Sequence, residues 1–263
     1  MKGLRFGFKY SMTVCLKMIC LLVGLVSLQN VSAKSGVKEM RLMSYNTHHS
    51  EGMDKVLDVS RIAHLINLQN PEVIAIQELD SMTERTNKTY QLAELAKLTG
   101  MKYTFASALH NYQGGSYGNG ILSKKKPLSV KRIPLPGREA RVLLVAEFKD
   151  YVFASTHLDG RQDFLDQTLD IIRQESARWN KPFFIAGDWN CRPDNKFIEG
   201  LKQDFKIITC ENSVPFDHPT YCIDYIAVRD KSDKVQTVAK WTVAGSNASD
   251  HCPVCGVVKM AQP

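Results

Sequence analysis

The chain has 263 residues, of which 44% are hydrophobic and 23% charged, a balance that suits one large globular domain and excludes a disordered or low-complexity chain. It carries 34 basic and 27 acidic residues, a net charge of +7, but four of the basic residues, Lys2, Arg5, Lys9 and Lys17, fall in the first 33 positions, and without them the balance is 30 against 27, a net of +3. That modest charge argues against a protein built around a broad cationic face for nucleic acid.

The first element is a leader. Residues 1–17 are basic and hold no acid, an apolar run M-I-C-L-L-V-G-L-V-S-L fills 18–28, and V-S-A stands at 31–33. A basic start, a short apolar run and small residues make a cleavable signal peptide at 1–33, with a retained anchor as the alternative. The run is too short to span a bilayer, so no transmembrane segment is expected after cleavage. The expectation is an exported protein, periplasmic or extracellular, with residues 34–263 as one catalytic domain and a monomer. Five cysteines remain beyond the leader: Cys191, Cys210, Cys222, Cys252 and Cys255. Export permits disulfides, but an odd number cannot all pair. Cys252-Pro-Val-Cys255 has redox or zinc spacing, yet no second C-x-x-C accompanies it and an apolar run follows, so a buried structural role is expected. Cys210 and Cys222 could close a short loop.

Apolar periodicity then predicts strands and helices in alternation. Val37–Tyr45 reads as a strand, Val56–Leu68 as a helix stopped at Asn70-Pro71, Val73–Ile76 as a buried strand, and Tyr90–Leu98 as a helix ended by Gly100. Strands follow at Tyr103–Ser107, Gly120–Ser123, Leu128–Arg132, Arg141–Phe148 and Tyr151–Ser155. Phe164–Trp179 is an amphipathic helix, and Pro182–Ala186, Ile223–Val228 and Val254–Val258 are further strands. Helices alternating with strands early, and strands in pairs later, predict two mixed sheets packed together with helices outside.

Polar residues stand at the strand ends: Asn46, Glu78, His157, Asp188 and Asn190, Asp224 near the start of its run, and Asp250-His251 before the last strand. Ligand sites collect where such loops converge. Carboxylates and amides with few imidazoles favour Mg²⁺ or Mn²⁺ over Zn²⁺. A His with a carboxylate beside such an ion suits attack of water on phosphorus.

The ordered set Tyr45-Asn46, Gln77-Glu78, Thr156-His157, Gly187-Asp188-Trp189-Asn190, Ile223-Asp224-Tyr225-Ile226 and Ser249-Asp250-His251 resembles the endonuclease/exonuclease/phosphatase superfamily, which includes DNase I-like nucleases, inositol polyphosphate 5-phosphatases and sphingomyelinases. The resemblance covers residues 38–258 and extends to Gly118-Asn119-Gly120-Ile121-Leu122-Ser123. It implies a four-layer α/β sandwich. It also implies Glu78 as the principal metal ligand with Asn46 and Asp250 near the ion, and His251 on the scissile phosphate or as base, held by Asp224. Asp188 would orient or deprotonate water, and His157 and Asn190 would donate to phosphate oxygens; whether Asp188 or His251 is the base stays open. His48, two positions after Asn46 and followed by His49, stands where some nucleases of the superfamily carry an acid. It is either a substrate contact or a polar rim residue.

For substrate, Arg85, Arg138 and Arg141 are the candidate phosphate clamp, because guanidinium binds phosphate bidentately, with structural ion pairs as the alternative; Asn119, in the segment that shares the resemblance, is a further candidate contact. The lysine run Lys124–Lys126 and Lys131-Arg132 reads as a solvated hairpin. The sequence therefore points to an exported Mg²⁺- or Mn²⁺-dependent phosphoesterase acting on a small or lipid-linked phosphoester. The alternatives are an exported nuclease, for which no aromatic-rich insertion is present to stack bases, and a catalytically silent binding module, against which the full motif set argues. Asn87-Lys88-Thr89 and Asn247-Ala248-Ser249 match the glycosylation sequon; a glycan at Asn247 would crowd the site.

Overall fold

A computed structural model of the chain describes residues 36–209, 212–213 and 221–261. The expected signal peptide and Cys210 lie outside the described residues. Strands β1 (Val37–Asn46), β2 (Val73–Ser81), β3 (Lys102–Tyr112), β4 (Gly115–Ser123), β11 (Val235–Thr242) and β12 (Val254–Ala261) form one six-stranded sheet in the order β11-β12-β1-β2-β4-β3. Strands β5 (Ser129–Leu135), β6 (Arg141–Glu147), β7 (Val152–His157), β8 (Phe183–Asp188), β9 (Lys206–Thr209) and β10 (Asp224–Arg229) form the second, in the order β5-β6-β7-β8-β10-β9. Both sheets are mixed. Each has one parallel pair near its centre, β1–β2 and β7–β8, among antiparallel neighbours.

Helix α1 (Val59–Gln69) bridges the first parallel pair and α3 (Gln162–Ala177) the second, as a parallel connection requires. Asp58 caps α1 by accepting from Ser60 N, and Asn70, in a left-handed conformation, ends it before Pro71. Helices α2 (Gln91–Thr99) and α4 (Lys196–Leu201) complete the outer layers. Ile62 and Ile66 of α1 and Leu92 and Leu95 of α2 pack on one sheet with Met43, Ile74 and Ile76. Leu165 and Ile172 of α3 and Phe197 and Leu201 of α4 pack on the other with Phe183 and Ile185. Between the sheets lies a third apolar layer, the seam, which includes Met40, Leu42, Val73, Ala75, Leu144, Phe153, Phe184, Ile226 and Val254. Helix, sheet, sheet and helix give the expected four-layer sandwich.

Alternation along each strand explains both faces. In β1, Met40 and Leu42 face the seam while Met43 and Tyr45 face the helices. In β8, Phe184 and Ala186 face the seam while Phe183 and Ile185 face the helices. Four described elements escape the sequence pattern: a 3₁₀ turn at His48–Ser50, α4, β9 and β11. Both strands lie at sheet edges, and β11 is mostly exposed, so neither shows an apolar alternation. Strands β2, β3 and β4 also run further than their apolar cores suggested, to Ser81, to Tyr112 and back to Gly115. No helix among the described residues is long and apolar enough to cross a membrane.

Candidate active site

The seam changes from apolar to polar at one end. Asn46 follows Met40 and Leu42 on the seam face of β1, and Asp188 follows Phe184 and Ala186 on β8. His157 follows Phe153 on β7, and Asp224 precedes Ile226 and Val228 on β10. The carboxyl ends of both parallel pairs therefore meet over the start of antiparallel β10 and the loop into β12. Two sheets each contribute half of the constellation.

Glu78 reaches the site by a different route. Strict alternation in β2 would send residue 78 to the helix side with Ile74 and Ile76. The pairing of β2 with β4 shifts register between Ile76 and Leu79, a β-bulge, and Glu78 takes a positive φ of 57°. The extra residue turns Glu78 out of the helix-side layer, and Leu79 resumes packing there. A non-glycine residue at that φ is strained, and such strain collects at functional sites.

These side chains converge. The Asn46 amide donates to Glu78 Oε1 at 2.9 Å and to Asp188 Oδ2 at 3.1 Å, and its oxygen accepts from His48 N at 3.1 Å. His251 Nδ1 donates to Asp224 Oδ2 at 2.8 Å, and its Nε2 lies 3.8 Å from Asp188 Oδ2. His157 Nε2 lies 3.6 Å from the same oxygen, and the Asn190 amide meets that Nε2 at 3.0 Å. Ser249 Oγ donates to the Asn46 carbonyl at 2.8 Å and accepts from His251 N at 3.2 Å, tying the Asp250-His251 turn to β1. Behind the site, Trp189 stacks on Tyr225, whose hydroxyl donates to the Cys191 and Cys222 carbonyls. This fixes the two loops that carry Asn190 and Asp224.

Burial and charge set the protonation states. Burial disfavours the His251 cation, but the charge and hydrogen bond of Asp224, with Asp188 and Asp250 behind them, win and carry its pKa up to about 10. His157 moves the other way: burial first, then the charges of Arg141 and His251, hold it well below the ordinary histidine value. Asp188 is pushed up by burial and by the neighbouring charge of Asp224. Its ionised form therefore calls for a cation.

The donor set fits a divalent cation. Ligand atoms of Glu78, His157 and Asp188 lie within 4.8 Å of one another, as do those of Asp188, Asp224 and His251. Asp224 Oδ1 is buried without a hydrogen-bond partner. In this geometry Asn46 turns its N–H₂ edge to the carboxylates, so it would have to rotate its amide to ligate through oxygen. Asp250 stays outside these clusters; it is half-buried and its carboxylate accepts from Ser249 Oγ at 3.4 Å.

The expected substrate contacts are placed unequally. Arg141 lies close enough to His157 to lower its pKa and pairs with Glu139. Arg85 is held bidentately by buried Asp80, at 2.7 and 2.9 Å, and lies over Tyr112 and Tyr117. Asn119 is buried and donates to the Val142 carbonyl at 3.1 Å, a tie between the sheets. Lys124–Lys126, Lys131 and Arg132 are exposed. Cys191, Cys252 and Cys255 are buried, and burial raises the Cys191 and Cys255 thiols to about 12, as inert structural cysteines require.

Sequence reading missed a cavity of about 100 Å³ beside Glu78, lined by His48, His49, Arg85, Tyr112 and Tyr117 among others. Its signal was present: Gly114-Gly115 between two apolar-aromatic runs is a hairpin turn that brings Tyr112 and Tyr117 together, ring centroids 5.9 Å apart. It also missed a groove of about 630 Å³ beside Asn190, where Arg192 lies over the Tyr221 ring.

Comparison with known proteins agrees with this geometry. The Endonuclease/Exonuclease/phosphatase family model matches residues 43–251. No curated protein matches the sequence significantly. Among solved structures, an endonuclease/exonuclease/phosphatase from Bacteroides vulgatus superposes with a TM-score of 0.71 at 16% identity, over 85% of this chain and 99% of that one. One from Beutenbergia cavernae gives 0.69 at 20% identity, over 85% and 72%. The mannosyl-6-phosphatase of Bacteroides thetaiotaomicron gives 0.66 at 14% identity, over 83% and 99%. With a family match across most of the sequence, the sandwich those structures share and the acid–histidine cluster at its open end, this chain is a member of the endonuclease/exonuclease/phosphatase family, an enzyme of the phosphoester-hydrolase class.

Proposed function

We propose that the protein is an exported Mg²⁺- or Mn²⁺-dependent phosphoesterase that hydrolyses a small or lipid-linked phosphoester. The observation that carries this reading is the meeting of a charged Asp224–His251 pair with Glu78, Asp188 and Asn46 at one end of the seam. Glu78 and Asp188, with Asn46 after an amide turn, would hold the cation, with Asp250 at its margin. Bound there, the cation supplies Lewis-acid polarisation of a phosphate oxygen and offsets the buried carboxylates.

The side chains divide the remaining work. His251, charged near neutrality, donates from Nε2 to a phosphate oxygen, while Asp224 holds its ring from Nδ1. A histidine with so high a pKa is a poor base in that state. Asp188, which burial raises only while the site is without its cation, would be ionised beside the ion and is placed within reach of His251 and His157 to orient the attacking water and take its proton. Asn190 and neutral His157 stand together beside Asp188; the Asn190 amide is held by His157 Nε2 and the Leu158 carbonyl, so the pair would exchange those bonds to donate to phosphate oxygens. Export rests on the signal-like sequence of residues 1–33.

A small substrate is favoured by the net charge of +3 beyond the leader and by solvation of the lysine run away from the site. The mannosyl-6-phosphatase likeness supports the same class. A nuclease reading has one observation in its favour: the Arg192–Tyr221 pair beside Asn190 is a cationic and aromatic platform on which a base could stack. Hydrolysis of p-nitrophenyl phosphate, bis-p-nitrophenyl phosphate and plasmid DNA, each with Mg²⁺, Mn²⁺ or EDTA, decides between them. Metal-dependent aryl-ester cleavage with intact plasmid supports the small-substrate reading. Plasmid nicking that vanishes in His251→Ala would replace it with the nuclease.

A further inference from the structure

We propose that His48, His49 and Glu78 form a second, nitrogen-rich metal site for a borderline first-row divalent cation such as Zn²⁺, with Glu78 shared between it and the oxygen-rich site. The inference shares Glu78 with the proposed function and rests on it to that extent. Ligand atoms of the three side chains lie within 4.8 Å of one another, and all three line the cavity beside β2. Two imidazoles and one carboxylate are a ligand set that zinc accepts, with its remaining position open. Imidazole nitrogen favours zinc-like ions over Mg²⁺.

The nitrogens are prepared for ligation. His48 Nδ1 meets the Glu51 carbonyl at 3.1 Å, so that nitrogen carries the proton and Nε2 keeps its lone pair. Such a tie from the second nitrogen to a carbonyl is the usual support for a metal-bound histidine. His49 is 8% exposed, its Nε2 lies 3.8 Å from Glu51 Oε2, and its Nδ1 is buried without a hydrogen-bond partner.

The backbone is committed to presenting the pair. His48, His49 and Ser50 all have positive φ, between 42° and 63°. The buried Gln91 amide of α2 donates to the His49 carbonyl, and Ser50 N donates to Thr47 O at 2.7 Å. Arg85 shares the cavity, but its charge is matched by the bidentate bond to Asp80. A space of about 100 Å³ holds an ion with a few waters or one ligand oxygen.

The test is direct metal binding. Protein stripped with EDTA is loaded with Zn²⁺, with Mg²⁺ in excess, and bound zinc is counted by atomic emission after gel filtration. The wild type is expected to hold about one zinc more per chain than the His48→Ala/His49→Ala variant. Equal zinc in the two overturns the proposal. Because the double variant could lose its fold, the wild type alone gives an independent readout: imidazole ¹⁵N spectra during Zn²⁺ titration. Shifts at His48 and His49 are expected; shifts confined to His157 and His251 overturn it. Mg²⁺-dependent hydrolysis by the same preparation reports on the oxygen-rich site separately, so failure of one reading is distinguishable from failure of the other.

Discussion

Two histidines approach the same carboxylate oxygen, Asp188 Oδ2, and end in opposite protonation states. His251 has Asp224 at its far nitrogen and is driven to about 10; His157 has burial and the charge of Arg141 against it and stays neutral. Environments that push two like groups apart assign them different tasks. Asp224→Asn should remove the charge that holds His251 up, so its ring protons should titrate several-fold closer to the free value of 6.5 in NMR. A titration unmoved from about 10 would mean that Asp224 is not the cause. Stability should follow the same group. The folded-state value of His251 lies above its unfolded value, so its contribution is complete below pH 6.5 and is lost as pH rises through about 10. Asp188 is raised from 3.8 to about 7, so its own contribution is lost earlier, as pH rises from about 4 to 7, and the range above pH 7 reports on His251. In EDTA, Tm should therefore fall between pH 7 and 10, and less steeply in His251→Gln. Parallel curves for the two proteins would contradict this assignment.

At the scale of elements, the site depends on how strands end. The β2 bulge turns Glu78 inward, and the close pairing of β7 with β8 sets Asp188 beside His157. Gly187 permits that approach, since a Cβ there would lie 1.9 Å from the Thr156 carbonyl oxygen. Gly187→Ala must push the two strands apart; a cost on the order of 2–3 kcal/mol is expected, with loss of activity beyond what stability explains. Calorimetry beside a hydrolysis assay checks both, and a variant with unchanged Tm and rate would show the contact is not needed. The same elements mark how far sequence reached. Strands with unbroken apolar runs, such as β8 and β12, were legible because one face is buried on the seam and the other under helices. The bulge was not legible, because Gln77-Glu78 reads only as the polar end of V-I-A-I, so β2 was expected to stop at Ile76 and runs to Ser81. The β11 residues V-Q-T-V-A-K-W-T are mostly exposed at a sheet edge and carry no burial signal.

At the scale of the molecule, neither sheet holds a complete site. Asn46, Glu78 and the turn before β12 come from one sheet; His157, Asp188 and Asp224 come from the other. Membership of the constellation was legible because each residue continues or ends an apolar strand. What each partner does was not: the Asp80–Arg85 pair, the Asn119–Val142 tie and the His48–His49 turn depend on contacts between segments far apart in the chain. A cation joining the two halves should stabilise the whole fold. At a hundredfold excess over Kd the linkage is about 2.7 kcal/mol, and at about 2–4 °C per kcal/mol for a domain of this size, Mg²⁺ or Mn²⁺ should raise Tm by roughly 5–10 °C over EDTA. An unchanged Tm would mean that no cation bridges the sheets.

The central claim, that this cluster is a metal-dependent phosphoesterase site, is tested most directly by one titration. Initial rates of bis-p-nitrophenyl phosphate hydrolysis are measured against Mg²⁺ concentration for the wild type, Glu78→Gln and His251→Ala. Glu78→Gln should need more metal and partly recover at high Mg²⁺, while His251→Ala should stay at least about 10²-fold slower at every concentration. Wild-type turnover in both variants, over the whole metal range, would contradict the assignment.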